Sequence, residues 1–420
     1  MLMNSLKPIF QAVLISGILI STAFGQDLEL NGYIRTYLGI LTNETMDYSI
    51  VQNTLDLKLK RSMDRVAMSA NPYIYQYPDQ DPKLGMREAY MDIFFDKMDL
   101  RLGKQQIIWG KADGVFITDI VSPKDLSEFL LRDFEEIRTG ITAMKADYYI
   151  GNNTLEFVWI PEFTPTIMPD TSSIWSRIPT FSLPVTIDNA NWTVPDKLEN
   201  SEAFVKFSGM SSLLDYELIA GSMWDDDPTI HVAPVMENGN PQPVGFTIMP
   251  EHHRLTLAGG SISTEIAGYI LRSEAAYYVG KQFVSSNAQG LPINLLEKDY
   301  LHYLAGTDFS IKGTNISAQF IQQVIIDYKY AIVKDEVDNT VTLLANRTFL
   351  QETLTLQAFA YIGLNSSDAL IRPTIIYDFA DGFEIVTGVN IFMQKDTDDP
   401  GIFGYYDQND MAYVKVKYSF

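Results

Sequence analysis

The chain has 420 residues, no cysteine and a formal net charge of −22 at neutral pH. Because nucleic acids and other polyanions are bound by basic stripes, this charge excludes them as partners of the outer surface. The absence of cysteine excludes a disulfide framework and suits a chain that crosses an oxidising compartment. The acidic excess has two interpretations, which are repulsion that maintains solubility and the selection of substrates by charge.

The first residues have the pattern of a cleaved signal peptide. Lys7 supplies a short positive region, residues 8–22 are largely apolar, and Ala23 and Gly25 are small residues at positions that a signal peptidase reads. We therefore predict a signal peptide at 1–25 and one mature domain at 26–420. No later stretch approaches the ~20 apolar residues of a transmembrane helix, so a membrane location would require strands.

Amphipathic segments that alternate apolar and polar residues recur throughout the mature chain, with no linker or shift in composition. About 18 can be drawn, with 16 possible: 28–41, 48–62, 64–77, 86–97, 99–110, 141–151, 154–163, 202–212, 213–224, 251–263, 265–283, 299–313, 314–330, 340–352, 353–364, 369–380, 383–395 and 411–420. Tight joins alternate with longer connections such as 111–140 and 164–201. This sorting predicts an all-β, transmembrane antiparallel barrel with short turns in the periplasm and long loops outside.

The alternation assigns an inner and an outer face to each strand. Charged and polar residues on the inner face are the predicted pore lining: Arg35, Asp56, Lys58, Glu88, Asp92, Arg101, Lys206, Arg272, Glu274, His302, Asp308, Arg372, Asp378, Glu384, Lys415 and Lys417. Their nearly balanced signs predict ion pairs that brace the wall or, alternatively, contacts to a substrate. The acidic runs 225–227 and 396–399 are predicted in outer loops, and Tyr73, Tyr75 and Tyr77 in an interfacial aromatic girdle.

The last segment, 411–420, places apolar residues on one face and Lys415 and Lys417 on the other. It ends on an aromatic residue, Phe420, with Tyr418 two positions earlier on the same face. In this it resembles the closing strand of bacterial outer-membrane barrels. That resemblance implies that Tyr418 and Phe420 form the signal read by the barrel-assembly machinery.

Two long connections are candidates for narrowing the barrel. In 111–140, glycines at 110 and 114 allow a sharp reversal and the run 126–134 predicts a short helix, so this loop either folds inward as a constriction or packs over the rim. The loop 164–201 is too apolar for a free surface loop, so it plugs the mouth or offers an apolar landing surface. The candidate constriction residues are Trp109, Asp113, Asp119, Asp125, Phe129, Arg132 and Trp175.

Residues 101–106 (RLGKQQ), 109–114 (WGKADG) and 87–90 (REAY), with the pattern Asp119, Pro123, Asp125 and Phe129, resemble a known group of proteins. The group is a largely uncharacterised, porin-like family of proteobacterial outer-membrane β-barrels that carry a domain of unknown function. The sharp match covers about 86–165. The resemblance implies a barrel fold and a link to transport of hydrophobic compounds, and it implies no catalytic or binding residue.

We predict no enzymatic activity, because no Gly-x-Ser-x-Gly elbow is present and only four histidines occur. We predict no cofactor and no metal, since adjacent His252 and His253 would point to opposite faces of a strand. The sequence therefore predicts a channel in the outer membrane of a Gram-negative bacterium, for passive diffusion of small polar or amphipathic solutes. The alternatives are uptake of hydrophobic compounds captured on apolar outer loops and a closed structural or adhesive barrel. The oligomeric state does not follow from the sequence.

Overall fold

The computed structural model describes residues 28–78, 80–177, 183–190, 192–237, 239, 242–287, 294–396 and 399–420. The predicted signal peptide, 1–25, lies outside these residues, and so do Ile178 and Phe181 of the apolar loop. Within the described ranges, no helix is long and apolar enough to cross a membrane.

Most of the described chain is one closed sheet. Its strands, in chain order, are β1 (Leu28–Leu41), β2 (Tyr48–Met63), β3 (Val66–Gln76), β4 (Lys83–Phe94), β5 (Met98–Gln105), β6 (Ile141–Ile150), β7 (Asn153–Ile160), β9 (Glu202–Met210), β10 (Asp215–Trp224), β13 (Arg254–Ile266), β14 (Tyr269–Ser285), β15 (Asn294–Ile311), β16 (Thr314–Ile325), β17 (Val337–Phe349), β18 (Leu354–Gly363), β19 (Ala369–Ala380), β20 (Phe383–Met393) and β21 (Met411–Ser419). Three further strands, β8 (Val185–Ile187), β11 (Thr229–Met236) and β12 (Pro243–Glu251), form a separate small sheet. In the described ranges the helical elements are α1 (Phe134–Ile137) and 3-10 turns at Leu198–Asn200 and Gly404–Asn409.

The large sheet closes because its first and last strands pair. β1 runs antiparallel to β21, with Tyr33 opposite Ser419 and Leu41 opposite Met411. In the described residues the sheet has 18 strands, so the prediction of an antiparallel barrel of about 18 strands is confirmed. The small sheet of β8, β11 and β12 was not predicted, because its residues lie within the long connections that the alternation pattern left unassigned.

The two rims differ as the turn pattern predicts. Connections such as 64–65, 151–152 and 312–313 are short, whereas 106–140 and 161–201 join strands at the opposite rim. At one short turn Lys312 and Gly313 have φ of 50° and 80°. Two consecutive positive φ values match the right-handed twist of paired strands, which is why such a turn can join them directly.

The outer face of the barrel is apolar and the inner face is polar. Val416 and Tyr418 of β21 and the following Phe420 are 39–44% exposed on the outer face, whereas Lys415 is only 7% exposed on the inner face. An apolar outer surface on a closed sheet is stable in lipid because all strand backbone groups are paired within the sheet. The wall is thus a membrane-spanning barrel.

Two adjacent residues of β17 test this orientation. Leu343 lies at the middle of the strand and is 43% exposed on the outer face, whereas Leu344 lines the interior. Leu343→Arg should lower the free energy of unfolding by about 2–4 kcal/mol, because it places a charge in hydrocarbon. Leu344→Arg should have a much smaller effect, since its side chain reaches water. Urea unfolding in lipid vesicles, followed by tryptophan fluorescence, would contradict the orientation if the two variants lost equal stability.

Candidate functional site

The connection 106–140, called here the inward segment, lies inside the barrel rather than over its rim. Its hydrogen-bond partners lie on strands around the whole circumference: Arg35 on β1, Arg87 on β4, Glu156 on β7, Glu274 on β14, Gln319 on β16, Tyr361 on β18, Arg372 on β19 and Lys415 on β21. Only a segment within the lumen can contact all of these strands at once. It occupies the interior that the wall encloses.

The predicted helix at 126–134 is not present. Residues 127–130 form turns, and the helix α1 begins only at Phe134 and has four residues. Phe129 has a φ of 55°, which is outside the right-handed helical region and interrupts the helix. The conformation of residues 126–134 is instead set by the contacts that they make with the wall.

Glu136 is the centre of a buried charge network between the inward segment and the wall. Its carboxylate accepts hydrogen bonds from Nη2 of Arg35 at 3.0 Å, Nη2 of Arg87 at 3.1 Å and the Tyr33 hydroxyl at 2.9 Å. The side chains of Glu136, Arg35 and Arg87 are 4–8% exposed. Burial raises the pKa of Glu136, but the two guanidinium groups outweigh it and hold that pKa below its ordinary value. Arg87 also donates from Nε to Asp56 at 2.7 Å, which balances its charge.

Asp133 forms a second link to the wall. Its carboxylate pairs with Arg35 and Lys415. Burial raises its pKa, but Lys415 and Arg35 outweigh burial and lower the pKa of Asp133 to about 2. Because the pKa is lowered from 3.8, this carboxylate stabilises the folded segment above that pH, and the contribution is lost as the pH falls through about 2.

Arg87 faces the interior because of a β-bulge that the alternation rule did not detect. Asn71 lies opposite Glu88 and Pro72 lies opposite Met86, so Arg87 is an extra residue in β4. Both Arg87 and Glu88 therefore point inward. A strict period of two that puts Glu88 inward would put Arg87 towards lipid, and that improbable position is a signal for a bulge.

The predicted pore-lining residues lie on the inner face, and most of them form ion pairs there. The pairs are Arg101 with Asp92 at 2.7 Å, Lys206 with Glu156 at 3.1 Å, Arg272 with Asp113 and Asp308, Lys417 with Glu384 at 2.7 Å, and Lys58 with Glu135 at 2.9 Å. Arg372 instead donates to the backbone oxygens of Leu130 and Leu131, and Glu274 accepts from Thr118. Asp378 lies opposite Glu384 near the short-turn rim. The wall is thus braced by charges of both signs.

Tyr73, Tyr75 and Tyr77 were predicted in an interfacial girdle, and this prediction was wrong. The Tyr75 hydroxyl accepts a hydrogen bond from Arg87 at 2.6 Å, and the Tyr77 hydroxyl accepts one from Gln52 at 2.7 Å. Tyr73 lies under the Arg87 guanidinium, 4.5 Å from ring centroid to Cζ. These rings face the interior because they solvate its arginine and amide groups.

The inward segment separates two cavities in the described part of the interior. The inner cavity, about 870 Å³, reaches the short-turn rim at Ser419 and Phe420. The outer cavity, about 390 Å³, lies on the long-loop side and is lined by residues that include His302. Four residues line both cavities and form what we call the partition: Gly114, Phe116, Leu130 and Tyr361. The partition is thus the boundary between the two compartments.

The partition is tied to the wall through Tyr361 of β18. Its hydroxyl donates to the backbone oxygen of Gly114 at 2.6 Å, and its ring stacks on Phe403 at 5.3 Å. Gly114 has a φ of 72°, and a Cβ there would lie 2.7 Å from Cζ of Phe359 and 2.7 Å from the hydroxyl oxygen of Tyr361. The glycine is required by both its conformation and this close approach.

Other candidate constriction residues anchor the segment instead of lining the partition. Trp109 is 2% exposed and donates from Nε1 to Glu156 at 2.7 Å. Asp119 and Asp125 instead form ion pairs within the segment, Asp119 with Arg138 at 2.5 Å and Asp125 with Arg132 at 3.3 Å. Trp109 thus ties the segment to β7, and the two ion pairs brace the segment internally.

The apolar loop 161–201, called here the mouth loop, crosses the mouth of the barrel. It begins after β7, and its Trp175 packs on Phe392 of β20 and on Tyr406, each with ring centroids 5.7 Å apart. Phe129 of the inward segment packs on the same Tyr406 ring at 4.7 Å. Trp175 is 4% exposed, so its apolar surface is used in packing. This aromatic cluster joins the mouth loop to the inward segment.

The acidic run 225–227 lies in a connection at the long-loop rim, as predicted, but its side chains turn inward. Asp225 pairs with Lys281 at 2.6 Å, and Asp227 pairs with Lys124 at 3.5 Å. Both acids line the outer cavity. They turn inward because their cationic partners lie on β14 and on the inward segment, which a local sequence pattern cannot reveal.

With this geometry in hand, the chain can be compared with known proteins. A family model described as “Protein of unknown function (DUF1302)” matches residues 64–346. The chain belongs to this family. The resemblance inferred from 87–90, 101–106 and 109–114 is therefore confirmed. No curated protein sequence matches the DUF1302 chain.

Solved structures of bacterial proteins have a similar fold, and one of them is described as an outer membrane protein. OccK8 (OprE) of Pseudomonas aeruginosa has a TM-score of 0.56 at 9% identity and covers 94% of this chain and 99% of its own. OccAB3 of Acinetobacter baumannii scores 0.53 at 9% identity with the same coverage, 94% and 99%. The outer membrane protein opdK of P. aeruginosa scores 0.55 at 7% identity and covers 94% and 100%. At these identities the likeness shows the fold, and the DUF1302 protein is a porin-like barrel of the bacterial outer membrane.

The prediction that Tyr418 and Phe420 of this DUF1302 chain form an assembly signal stays a prediction. Their rings lie on the outer face, with Tyr418 4.4 Å from Phe383 and 6.3 Å from Phe420. Phe420 exchanges two backbone hydrogen bonds with Gly32, each 3.0 Å, beyond the end of the β1–β21 pairing. Both aromatics are therefore accessible from the lipid side at the seam of the barrel.

Proposed function

We propose that this protein is a passive channel for small polar or amphipathic solutes, narrowed by the loops 111–140 and 164–201. The observation that carries the proposal is the inward segment, which divides a polar interior into an inner and an outer cavity. A barrel that served only as a scaffold would have no need of polar compartments on both sides of a thin partition. No catalytic step is part of the proposal.

The partition is the narrowest element in this proposal. It consists of one glycine and three apolar or aromatic side chains, whereas the cavities on either side are lined with charged groups. Apolar constrictions gate pores by excluding water, so small displacements of Phe116 or Leu130 would change conduction strongly. The ion-paired wall would keep the rest of the path rigid.

A second candidate is uptake of hydrophobic compounds captured at the mouth. Ile167, Met168 and Ile174 of the mouth loop are 39–44% exposed, although Trp175 beside them is buried. Exposed apolar side chains next to a channel entrance can collect an apolar solute. This candidate uses the same barrel and differs only in the solute that enters it.

The purified protein in planar bilayers and in liposomes would test the channel. We expect discrete current steps, and liposome swelling in small sugars and amino acids but not in larger oligosaccharides. Deletion of 164–190 should raise the conductance, because it removes the chain that crosses the mouth. Absence of both current and swelling from protein that shows the heat-dependent gel mobility of a folded barrel would overturn the proposal and favour a closed structural barrel. Swelling only in apolar solutes would favour hydrophobic uptake.

A further inference from the structure

The outer cavity is lined by more acids than bases. Four carboxylates and two ammonium groups line it, together with tyrosine and phenylalanine rings. Three of the carboxylates have a cationic partner: Asp119 pairs with Arg138 at 2.5 Å, Asp225 with Lys281 at 2.6 Å, and Asp227 with Lys124 at 3.5 Å. Both lining lysines are therefore already used in ion pairs.

The fourth carboxylate, Asp226, forms no ion pair or side-chain hydrogen bond with the part of the chain that the structure describes. Its backbone oxygen accepts from the Thr166 backbone at 3.0 Å, which holds the residue in place. Burial, and then the nearby Glu202 and Asp227 carboxylates, raise the pKa of Asp226 well above its ordinary value. A positive charge placed next to Asp226 would remove this penalty and favour the ionised carboxylate.

A second polar group in the cavity also lacks a partner. The Nε2 atom of His302 is buried and has no hydrogen-bond partner among the described residues. The residue is 8% exposed and lines the outer cavity on β15. A buried polar atom without a partner costs free energy, so a bound solute or water that pairs with it is favoured. This observation is independent of the acidic excess and indicates an unfilled contact in the same cavity.

Aromatic rings complete the lining. Tyr278 and Tyr300, whose ring centroids are 5.9 Å apart, line the cavity on adjacent strands, and Phe116 lines it from the partition. Aromatic faces attract organic cations and also bury apolar groups. An anion is disfavoured here, because it would meet the unpaired carboxylate while both lysines are occupied.

We propose that the outer cavity binds a small organic amine in its cationic form, with the ammonium group at Asp226 and the apolar body against the tyrosine rings. The proposal deepens the channel function and rests on it only for the route by which the amine would continue through the barrel. His302 supplies a polar contact for a second group of the solute. The cavity volume of about 390 Å³ admits molecules of the size of phenethylamine or smaller.

Binding of three matched probes to the purified barrel would test the site. Phenethylammonium, 2-phenylethanol and phenylacetate share one body and carry a positive, neutral or negative group. Calorimetric titration should show phenethylammonium binding about tenfold or more tighter than either of the others, the effect of one charge-assisted contact. Equal affinity for phenethylammonium and 2-phenylethanol would overturn the proposal.

Variants would show whether Asp226 is the residue that contacts the ammonium group. Asp226→Asn should weaken phenethylammonium binding about tenfold and leave 2-phenylethanol unchanged, since only the charge is removed. Asp47→Asn, at an exposed acid in the loop between β1 and β2, is the matched control and should change neither. A loss of binding in both variants, or in neither, would contradict the assignment to Asp226. Should Asp226→Asn not fold, the three-probe comparison on the unmodified protein decides the question.

Conductance separates this proposal from the channel itself. Block of the ionic current by phenethylammonium, and not by 2-phenylethanol, would support both. Amine-selective binding in calorimetry without any current would leave the amine site standing and overturn the channel. Current that is indifferent to phenethylammonium, together with no calorimetric preference, would overturn the amine site and leave the channel standing.

Discussion

Replacement of Glu136 by alanine is expected to release α1 from the wall and to raise single-channel conductance severalfold. The carboxylate pairs with two arginines whose side chains are 4% and 8% exposed. Removing one partner of a buried charge network costs about 3–5 kcal/mol, because the remaining charges lose their compensation. The inward segment would therefore lose its main attachment to β1 and β4. Arg87 keeps its wall partner Asp56, so the wall itself should stay folded, and the segment would be held to Arg35 only by the half-exposed Asp133.

Glu135, the residue before Glu136, provides the control for the Glu136→Ala variant. Glu135 pairs with Lys58 at 2.9 Å, but the two side chains are 66% and 49% exposed. Such surface pairs contribute about 0–1 kcal/mol, so Glu135→Ala should leave conductance and protease resistance unchanged. Bilayer recordings, with limited proteolysis of the inward segment, measure both effects. Equal behaviour of the two variants would show that the buried network does not hold the segment.

Removal of the partition side chains is expected to have the second large effect. In the double variant Phe116→Ala and Leu130→Ala, the two cavities should merge and the conductance should rise, because the apolar barrier to water is removed. Liposome swelling should extend to larger solutes for the same reason. Phe134→Ala is the matched control, since Phe134 lines only the inner cavity and is 60% exposed.

Two other outcomes would place the barrier to conduction elsewhere than at the partition. If the control variant raised the conductance as much as the double variant, the narrowest point would lie in the inner cavity and not at the partition. If neither changed the conductance, the mouth loop around Trp175 would be the controlling element. Both results are distinguishable from misfolding by the heat-dependent mobility of the barrel on gels.

The wall was predictable because its signals are local. A period of two assigned β21 its inner face with Lys415 and its outer face with Tyr418, and the folded barrel has the same faces. Turn length alternated along the chain and predicted which rim carries the long loops. Where the alternation breaks, as at Arg87, a strict period of two gives the wrong face, because a bulge adds one residue to β4 and places two consecutive side chains on the same face.

The charge pairs of the wall were partly predictable. Glu384 and Lys417 lie directly opposite each other on adjacent strands, so their pairing follows from register. The partner of Lys415 did not follow in that way, since it is Asp133 of the inward segment. The helix expected at 126–134 failed for a related reason, since contacts with the wall and the conformation of Phe129 override a local helical preference.

The sequence by itself determined the barrel, the rim that carries the long loops and the face on which each regular strand places its charges, because alternation and turn length are properties of neighbouring residues. Only the tertiary structure decided that the inward segment enters the lumen, that Glu136 meets Arg35 from 101 positions away, and that the acids at 225–227 face an interior cavity. These features depend on which distant charges the closed barrel brings together. The spacing of residues along the chain does not reveal which distant charges come into contact.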